Sequence, residues 1–172
     1  MAHRLRPATP DDRALLLAVY ASTRADELAL TGWPPAQCQA FVEMQFDAQW
    51  RHYHQQHPQS LCQLVVADEA GAGACLGRLW VDRSGERLHV LDIALLPAAR
   101  GQGTGSALLR SLMAEARQRG VPLTISVEIH NPARRLYDRL GFQPQGAAQG
   151  IHQRMAWLPL ALHATHHQEC LP

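Results

Sequence analysis

The chain has 172 residues, which is long enough for one domain with a hydrophobic core and cramped for two. Its net charge of +1 and sequence pI near 7.8 give no field strong enough to indicate a nucleic-acid partner or an anionic membrane. No secretory leader pattern begins the sequence and no run of about eighteen apolar residues follows, so we expect a cytoplasmic protein without a membrane partner.

The cysteines and histidines do not form a metal-binding or redox pattern. No C-x-x-C pair occurs, so we expect reduced thiols at Cys38, Cys62, Cys75 and Cys170. A short polar tail at 163–172 follows a single domain predicted over 1–162, and it holds His163, His166 and His167. Imidazole is a common metal ligand, but we expect no functional metal site in this tail.

The first half of the chain predicts the order β-α-α-β-β. Thr9, Pro10 and two aspartates offer a cap and an acidic first turn for the first helix, and glycine and prolines at 29–36 end it. The glycine-rich segment 69–73 predicts a hairpin turn between the last two strands. The predicted elements are a strand at 3–7, helices at 11–28 and 35–57, and strands at 61–68 and 75–82.

The second half predicts β-α-β-α-β-β. The first strand is rich in valine, leucine and isoleucine, and Pro97 ends it because proline cannot donate to a sheet ladder. Gly120 and Pro122 stop the helix that follows. The predicted elements are a strand at 88–96, a helix ending at Arg119, a strand at 122–129, a helix at 131–140, and a strand at 151–158 paired with one near Phe142.

A glycine-rich segment, Arg100-Gly101-Gln102-Gly103-Thr104-Gly105, joins the central strand to its helix. A Walker A loop would require Gly-Lys-Ser or Gly-Lys-Thr, which the chain lacks, and a dinucleotide fingerprint would require glycine where Ser106 stands. The pattern that remains is Arg-x-x-Gly-x-Gly. A tight glycine turn that leads into a helix leaves N–H groups free to bind an anion.

A second motif, NPARRLYDRLGF at 131–142, follows a strand with alternating apolar residues. Asn131 predicts an N-cap, Pro132 suits the first helical position, and Gly141 suits the residue after the helix. The segment therefore predicts a short helix with Tyr137 within it. Tyr137 could also be a core aromatic.

The two motifs together resemble the acetyl-CoA-binding segments of the Gcn5-related N-acetyltransferase (GNAT) superfamily, and the element order resembles that family over nearly the whole chain. The resemblance implies an α/β fold with a mixed, mostly antiparallel sheet of about seven strands and four helices. It also implies that the strands at 88–96 and 122–129 splay apart to admit the pantetheine arm.

The resemblance implies acetyl-CoA, or another short acyl-CoA, as co-substrate, and no metal. The glycine segment would bind the pyrophosphate, the central strand would offer backbone groups to the pantetheine, and the Asn131 side chain would contact that arm. The implied binding residues are Ile93, Ala94, Leu95, Arg100, Gly101, Gln102, Gly103, Thr104, Gly105, Asn131, Arg134 and Tyr137.

Acyl transfer to a primary amine needs a base, because an alkyl ammonium with a pKa near ~10 has no lone pair at neutral pH. Tyr137 would protonate the departing thiolate, and no covalent enzyme intermediate is required. His89, Asp92 and Glu27 are candidate bases, with Glu128 a further one, and each could instead be only solvated or salt-bridged. His89 lies near the strand position where many family members carry a glutamate.

The acceptor is left open by the sequence. A small amine, an amino acid and a protein N-terminus all fit, and the segment 27–46 is expected to select among them. Trp33 could line the acceptor pocket or pack on its own helix. A non-catalytic acyl-CoA-binding regulatory module on the same fold is the alternative function. The apolar run at 155–162 could finish the sheet or cover a partner, so a homodimer also stays open.

Overall fold

The structure is a computed structural model that describes residues 2–68 and 73–160. Most of the predicted hairpin turn, at 69–72, lies outside the described residues. The same holds for the predicted tail at 163–172 with its histidines and Cys170, and for the last two residues of the apolar run at 155–162.

The predicted order of seven strands and four helices is confirmed. Two short 3-10 turns, Pro10–Asp12 and Pro97–Ala99, accompany these elements. The strands and helices are β1 His3–Pro7, α1 Arg13–Ala29, α2 Pro35–Gln56, β2 Leu61–Ala67, β3 Cys75–Asp82, β4 Leu88–Leu95, α3 Thr104–Arg119, β5 Leu123–Glu128, α4 Arg134–Arg139, β6 Gln143–Pro144 and β7 His152–Trp157.

The strands form one sheet in the order β1-β2-β3-β4-β5-β7-β6. β1 pairs antiparallel with β2, and β7 pairs antiparallel with both β5 and β6. β4 and β5 are parallel, and their ladder joins Leu88–Val90 to Leu123–Ile125. β4 then runs on to Leu95 and β5 to Glu128, which agrees with the predicted splay of these two strands.

The start of α4 corrects the prediction that Asn131 caps this helix and that Pro132 is its first residue. Asn131 Oδ1 accepts a hydrogen bond from the backbone N–H of Ala133 at 2.9 Å, so the asparagine caps a turn. The helix begins at Arg134. Its predicted end is confirmed, since Gly141 follows with a φ of 88°.

The chain divides into two compact units, of which the first comprises Met1–Trp80 and Asp92–Thr104. In this unit α1 buries Tyr20 and α2 buries Phe46, and the two ring centres are 5.9 Å apart. Trp80 of β3 is buried, and its indole N–H donates to Ser60 Oγ at 2.8 Å. The core of the first unit is therefore built from aromatic side chains of two helices and the sheet.

The second unit comprises Val81–Leu91 and Gly105–Pro172. Along α3 the buried residues recur at helical spacing and are Leu108, Leu109, Leu112 and Ala116. Arg83 Nε donates to Glu115 Oε1 of α3 at 2.9 Å. Tyr137 of α4 and Phe142 are both buried, with ring centres 5.8 Å apart, so the second motif contributes to this unit's core.

Candidate functional site

The glycine segment turns sharply into α3. Gly101 and Gly103 have φ values of 72° and 81°, in the left-handed region that glycine adopts without strain. A Cβ on either glycine would meet no atom within 4 Å, so the space beside the turn is open. α3 begins at Thr104, and the N–H groups of its first turn have no partner within the helix. The backbone here is shaped to receive an anion.

Thr104 adds a side chain to this turn. The residue is only 2% exposed, and its hydroxyl oxygen has no hydrogen-bonding partner among the residues that the structure describes. Buried polar groups are normally paired, because an unpaired one costs free energy. An unpaired buried hydroxyl at a helix start is therefore an observation, independent of the turn's shape, that points to a ligand.

Two side chains of the segment fold back onto the protein. Arg100 Nε donates to the Leu95 carbonyl at 2.8 Å, and Arg100 Nη2 donates to the Ser22 carbonyl of α1 at 3.2 Å. Gln102 Nε2 donates to the Ala98 carbonyl at 2.6 Å. These bonds hold the segment in place.

The end of β4 lies very close to β3. Gly77 of β3 has no room for a side chain, because a Cβ there would overlap the Ala94 carbonyl oxygen. The Leu96 N–H donates to the Leu76 carbonyl at 2.9 Å. Of the three residues predicted to offer backbone groups, Ile93, Ala94 and Leu95, the last already uses its carbonyl to accept from Arg100.

A buried arginine next to Asp92 is the main feature that the sequence analysis missed. Arg78 of β3 is 1% exposed, and its Nε donates to Asp92 Oδ2 at 2.6 Å. Its Nη2 donates to Gln49 Oε1 of α2 at 2.7 Å, and its guanidinium carbon lies 5.5 Å from the Tyr20 ring centre. The only sequence signal was an arginine among the apolar residues of the strand CLGRLWVD, which ends at Asp82.

The carboxylate of Asp92 is held by one oxygen only. Its side chain is 20% exposed, and among the described residues Oδ1 accepts no hydrogen bond. Tyr53 of α2 is near enough that the Asp92 charge contributes to its titration. Burial, reinforced by that charge, raises the pKa of Tyr53 to about 12, so its hydroxyl stays protonated at neutral pH.

His89, another candidate base, is tied to β5. Its Nδ1 lies 2.8 Å from Thr124 Oγ1, and Thr124 Oγ1 itself donates to the Leu88 carbonyl at 3.3 Å. A threonine hydroxyl has a single proton, so when Thr124 donates it to Leu88, Nδ1 is the donor in the first bond. The imidazole therefore lies where the β4–β5 ladder is formed, with His89 opposite Thr124 in the register.

Glu27 and Trp33 lie in or after the last turn of α1. The Glu27 carboxylate is 63% exposed and accepts from Arg24 Nη1 at 3.3 Å, which describes an exposed intrahelical pair. Trp33 packs edge-to-face on Phe41 of α2, with ring centres 5.3 Å apart. The tryptophan therefore packs on the helix that follows it, and its role in an acceptor pocket stays a prediction. Glu128 lies at the end of β5 and is half-buried.

The second motif brings Asn131, Arg134 and Tyr137 together in one short segment of the second unit. Asn131 is exposed and accepts from Ala133 through its oxygen, and its side-chain nitrogen makes no hydrogen bond within the described part of the chain. Tyr137 is buried. The segment therefore presents an exposed amide donor on the turn that precedes the helix.

A covalent mechanism would need a nucleophilic side chain, and the Cys62 and Cys75 thiols are poor candidates for that role. Burial raises the pKa of the Cys62 thiol to about 12, and burial also raises the pKa of Cys75. A thiol with a raised pKa carries little thiolate at neutral pH, and the thiolate is the nucleophile. Neither cysteine is suited to attack a thioester.

Within residues 2–68 and 73–160, no helix is long and apolar enough to cross a bilayer. No cluster of three or more histidine, cysteine, aspartate or glutamate side chains in those ranges has the arrangement of a metal site.

Solved structures with this fold include the following three. PaiA N-acetyltransferase from Thermoplasma acidophilum, in complex with coenzyme A, has a TM-score of 0.68 and 15% identity, over 92% of this chain and 99% of that chain. An acetyltransferase from Thermus thermophilus has a TM-score of 0.64 and 18% identity, over 92% and 97%. Ard1 from Thermoplasma volcanium has a TM-score of 0.58 and 20% identity, over 93% and 99%. These similarities establish the fold.

The family assignment comes from the sequence. The model of the acetyltransferase (GNAT) family matches residues 24–142, which is more than half of the chain and includes β4, the glycine segment, α3 and the second motif. The chain therefore belongs to the acetyltransferase (GNAT) family, whose activity class is acyl transfer from an acyl-CoA to an amine.

Proposed function

We propose that the protein is an N-acetyltransferase that moves an acetyl group from acetyl-CoA to a primary amine by direct attack, without a covalent enzyme intermediate. The observation that carries this proposal is the glycine turn, whose open left-handed glycines lead into α3 beside the unpaired, buried Thr104 hydroxyl. The acceptor is a small molecule, an amino acid or a protein N-terminus.

The donor would be held mainly by backbone groups. N–H groups at 101–105 and the Thr104 hydroxyl suit the pyrophosphate, because a helix N-terminus and an unpaired donor both favour negative charge. The Asn131 amide would donate to the pantetheine arm, with Arg134 near it in the chain. Backbone groups of Ile93 and Ala94 would pair with the arm, as an added strand pairs with a sheet edge.

The transfer step needs a base that accepts a proton from the amine and an acid that donates a proton to the leaving sulfur. Asp92 is the best candidate for the base, since its Oδ1 accepts no bond from the described residues and its side chain is partly exposed. Asp92 Oδ1 would take a proton from the acceptor ammonium, directly or through one water, so that the nitrogen lone pair can form the new C–N bond. As the C–S bond breaks, the Tyr137 hydroxyl would give its proton to the departing sulfur and the nitrogen would lose its second proton to water, which leaves the neutral amide. Solvent would then take the proton from Asp92 and return one to Tyr137.

The first test is thiol release from acetyl-CoA across a panel of polyamines, amino acids, aminoglycosides and N-terminal peptides, beside calorimetric binding of CoA. The proposal expects CoA binding and thiol release that depends on one class of acceptor. Binding without release from any acceptor would contradict the transferase and favour the non-catalytic acyl-CoA-binding module. Absence of CoA binding would contradict both.

Gly103→Asp tests the place of the pyrophosphate. We expect CoA affinity to fall about 100-fold or more, because the carboxylate would stand where phosphate must approach and the left-handed backbone would be strained. Gly120→Asp is the matched control, since Gly120 also has a positive φ, of 65°, and open space beside it, at the end of α3. Equal losses in the two variants, measured by calorimetry, would trace the effect to backbone strain alone.

Tyr137→Phe tests the acid. The ring and its contact with Phe142 are retained, so we expect folding and CoA affinity to change little while kcat falls about 100-fold. Steady-state kinetics at saturating acetyl-CoA would measure the loss. An unchanged kcat would remove Tyr137 from the mechanism and leave it as a core aromatic.

A further inference from the structure

Burying the charged side chain of Arg78 costs free energy. A guanidinium that is 99% buried needs all of its donors paired, yet Nη1 has no hydrogen-bonding partner within the described part of the chain. Replacing a buried ion pair by apolar residues of similar volume is often neutral or stabilising. The neighbours Leu76, Leu79 and Trp80 show that this strand accommodates apolar side chains. Stability alone therefore does not account for an arginine at this position.

The contacts of Arg78 join three elements. Nε binds Asp92 of β4, Nη2 binds Gln49 of α2, and the guanidinium carbon lies within 6.0 Å of the ring centres of Tyr20 and Phe46. A planar guanidinium can make such contacts only in a fixed orientation, because its donors form a rigid fork. The position of the Asp92 carboxylate is thus set by a side chain that cannot move without breaking contacts to α1 and α2.

The bond to Asp92 uses one carboxylate oxygen and leaves the other open. Nε reaches Oδ2, and Oδ1 accepts nothing from the described residues while the side chain is partly exposed. A carboxylate that is anchored at one oxygen has a defined direction for the second. This arrangement is suited to meeting a cationic group that arrives from solvent.

We propose that Arg78 is a positioning residue for acyl transfer: it holds Asp92 by Oδ2 so that Oδ1 is directed at the acceptor amine. The inference rests on the proposed function, in which Asp92 receives the amine proton. Gln49 extends the same constraint to α2, so that the base and the second helix move together. Arg78 itself touches no substrate in this scheme.

A double-mutant cycle with Arg78→Met and Asp92→Asn tests this role. The readout is kcat at saturating acetyl-CoA and acceptor, normalised to the number of CoA-binding sites found by calorimetry. We expect Asp92→Asn to lower kcat about 100-fold and Arg78→Met to lower it about 30-fold, since a misplacement near 1 Å can cost up to ~100-fold. Because Arg78 acts through Asp92, the double variant should match Asp92→Asn within about threefold. Losses that multiply in the double variant would overturn the inference.

Arg78→Lys keeps the test decisive if Arg78→Met does not fold. A lysine keeps the charge and can reach Asp92 but cannot bond Asp92 and Gln49 with the same geometry. We expect kcat of Arg78→Lys to be about tenfold higher than kcat of Arg78→Met, and so about threefold below wild type. If Arg78→Met is unfolded, Arg78→Lys should retain wild-type CoA affinity with kcat lowered about threefold. Wild-type kcat in Arg78→Lys would contradict the inference.

Arg6→Met is the matched control. Arg6 also bonds an aspartate in the first unit at 2.6 Å, but that partner, Asp12, lies before α1 and not on β4 or α2. It should lower thermal stability without changing kcat per CoA-binding site. A wild-type protein with no acceptor-dependent thiol release would overturn the proposed function and this inference together. Turnover that survives Asp92→Asn within about threefold would overturn this inference and the role of Asp92 as the base, and would leave the acetyltransferase function standing.

Discussion

Two arginine–aspartate pairs in the first unit have the same shortest distance, 2.6 Å, and differ in what surrounds the carboxylate. Asp12 accepts hydrogen bonds from both Nη atoms of Arg6 and from the backbone N–H and the hydroxyl of Thr9. Both of its carboxylate oxygens are therefore hydrogen-bonded. Within residues 2–68 and 73–160, Asp92 accepts one side-chain hydrogen bond, from Arg78. The carboxylates also differ in exposure, at 7% for Asp12 and 20% for Asp92.

The difference teaches that an ion pair by itself does not identify a functional carboxylate. At Asp12 the arginine is the more exposed partner and the aspartate is saturated, which describes a structural cap before α1. At Asp92 the arginine is fully buried, the aspartate side chain is 20% exposed, and Oδ1 accepts no hydrogen bond from the described residues. A carboxylate with unused acceptor capacity can bind a substrate cation, whereas a saturated one cannot do so without losing existing bonds.

The largest expected difference between the two pairs is in the effect of replacing each aspartate by asparagine. We expect Asp92→Asn to lower kcat about 100-fold, and Asp12→Asn to leave kcat per folded molecule within about twofold. Asp12→Asn should instead lower the free energy of unfolding by about 1–3 kcal/mol, because the amide loses charge-assisted bonds and its NH₂ faces other donors. Urea denaturation and steady-state kinetics on the same preparations would measure both effects. A large fall in kcat for Asp12→Asn at full folding would break the comparison.

Acid should gradually reduce the stability that the Arg6–Asp12 pair contributes, and this effect should be smaller than that of the amide substitutions. The guanidinium of Arg6, with the Thr9 N–H, holds the pKa of Asp12 well below its usual range. A carboxyl whose folded-state pKa is depressed contributes stability above its unfolded pKa and loses that contribution as pH falls. The difference in unfolding free energy between wild type and Arg6→Met, about 1 kcal/mol at pH 7, should stay constant from about pH 6 to 8 and shrink from about pH 5 towards pH 2. A difference that grows on acidification, in urea titrations at each pH, would contradict this assignment.

Local features were predictable because each one depends on residues close in sequence. The glycine turn, the capping residues Thr9 and Asp12, and the glycine stop after α4 follow from backbone conformations that few residue types adopt. The start of α4 was misplaced for a local reason as well. Asn131 can cap a turn or a helix with the same oxygen, and in this structure it caps the turn that precedes α4.

The Arg78 cluster could not be predicted because no local rule concerns it. Gln49, Arg78 and Asp92 lie on α2, β3 and β4, and 29 and 14 residues separate Arg78 from its two partners. A single arginine in an apolar strand gives no sign of which group will neutralise it. The choice among the candidate bases was open for the same reason, since His89, Asp92 and Glu27 differ mainly in their tertiary contacts.

The sequence by itself determined the order of strands and helices, the family and the position of the glycine turn before α3, because periodicity, turn residues and motif spacing act over a few residues. Only the tertiary structure decided which carboxylate accepts bonds at both oxygens and which accepts a bond at one oxygen from the described residues. That outcome depends on burial and on side chains brought together from distant elements, whose geometry the sequence pattern does not encode.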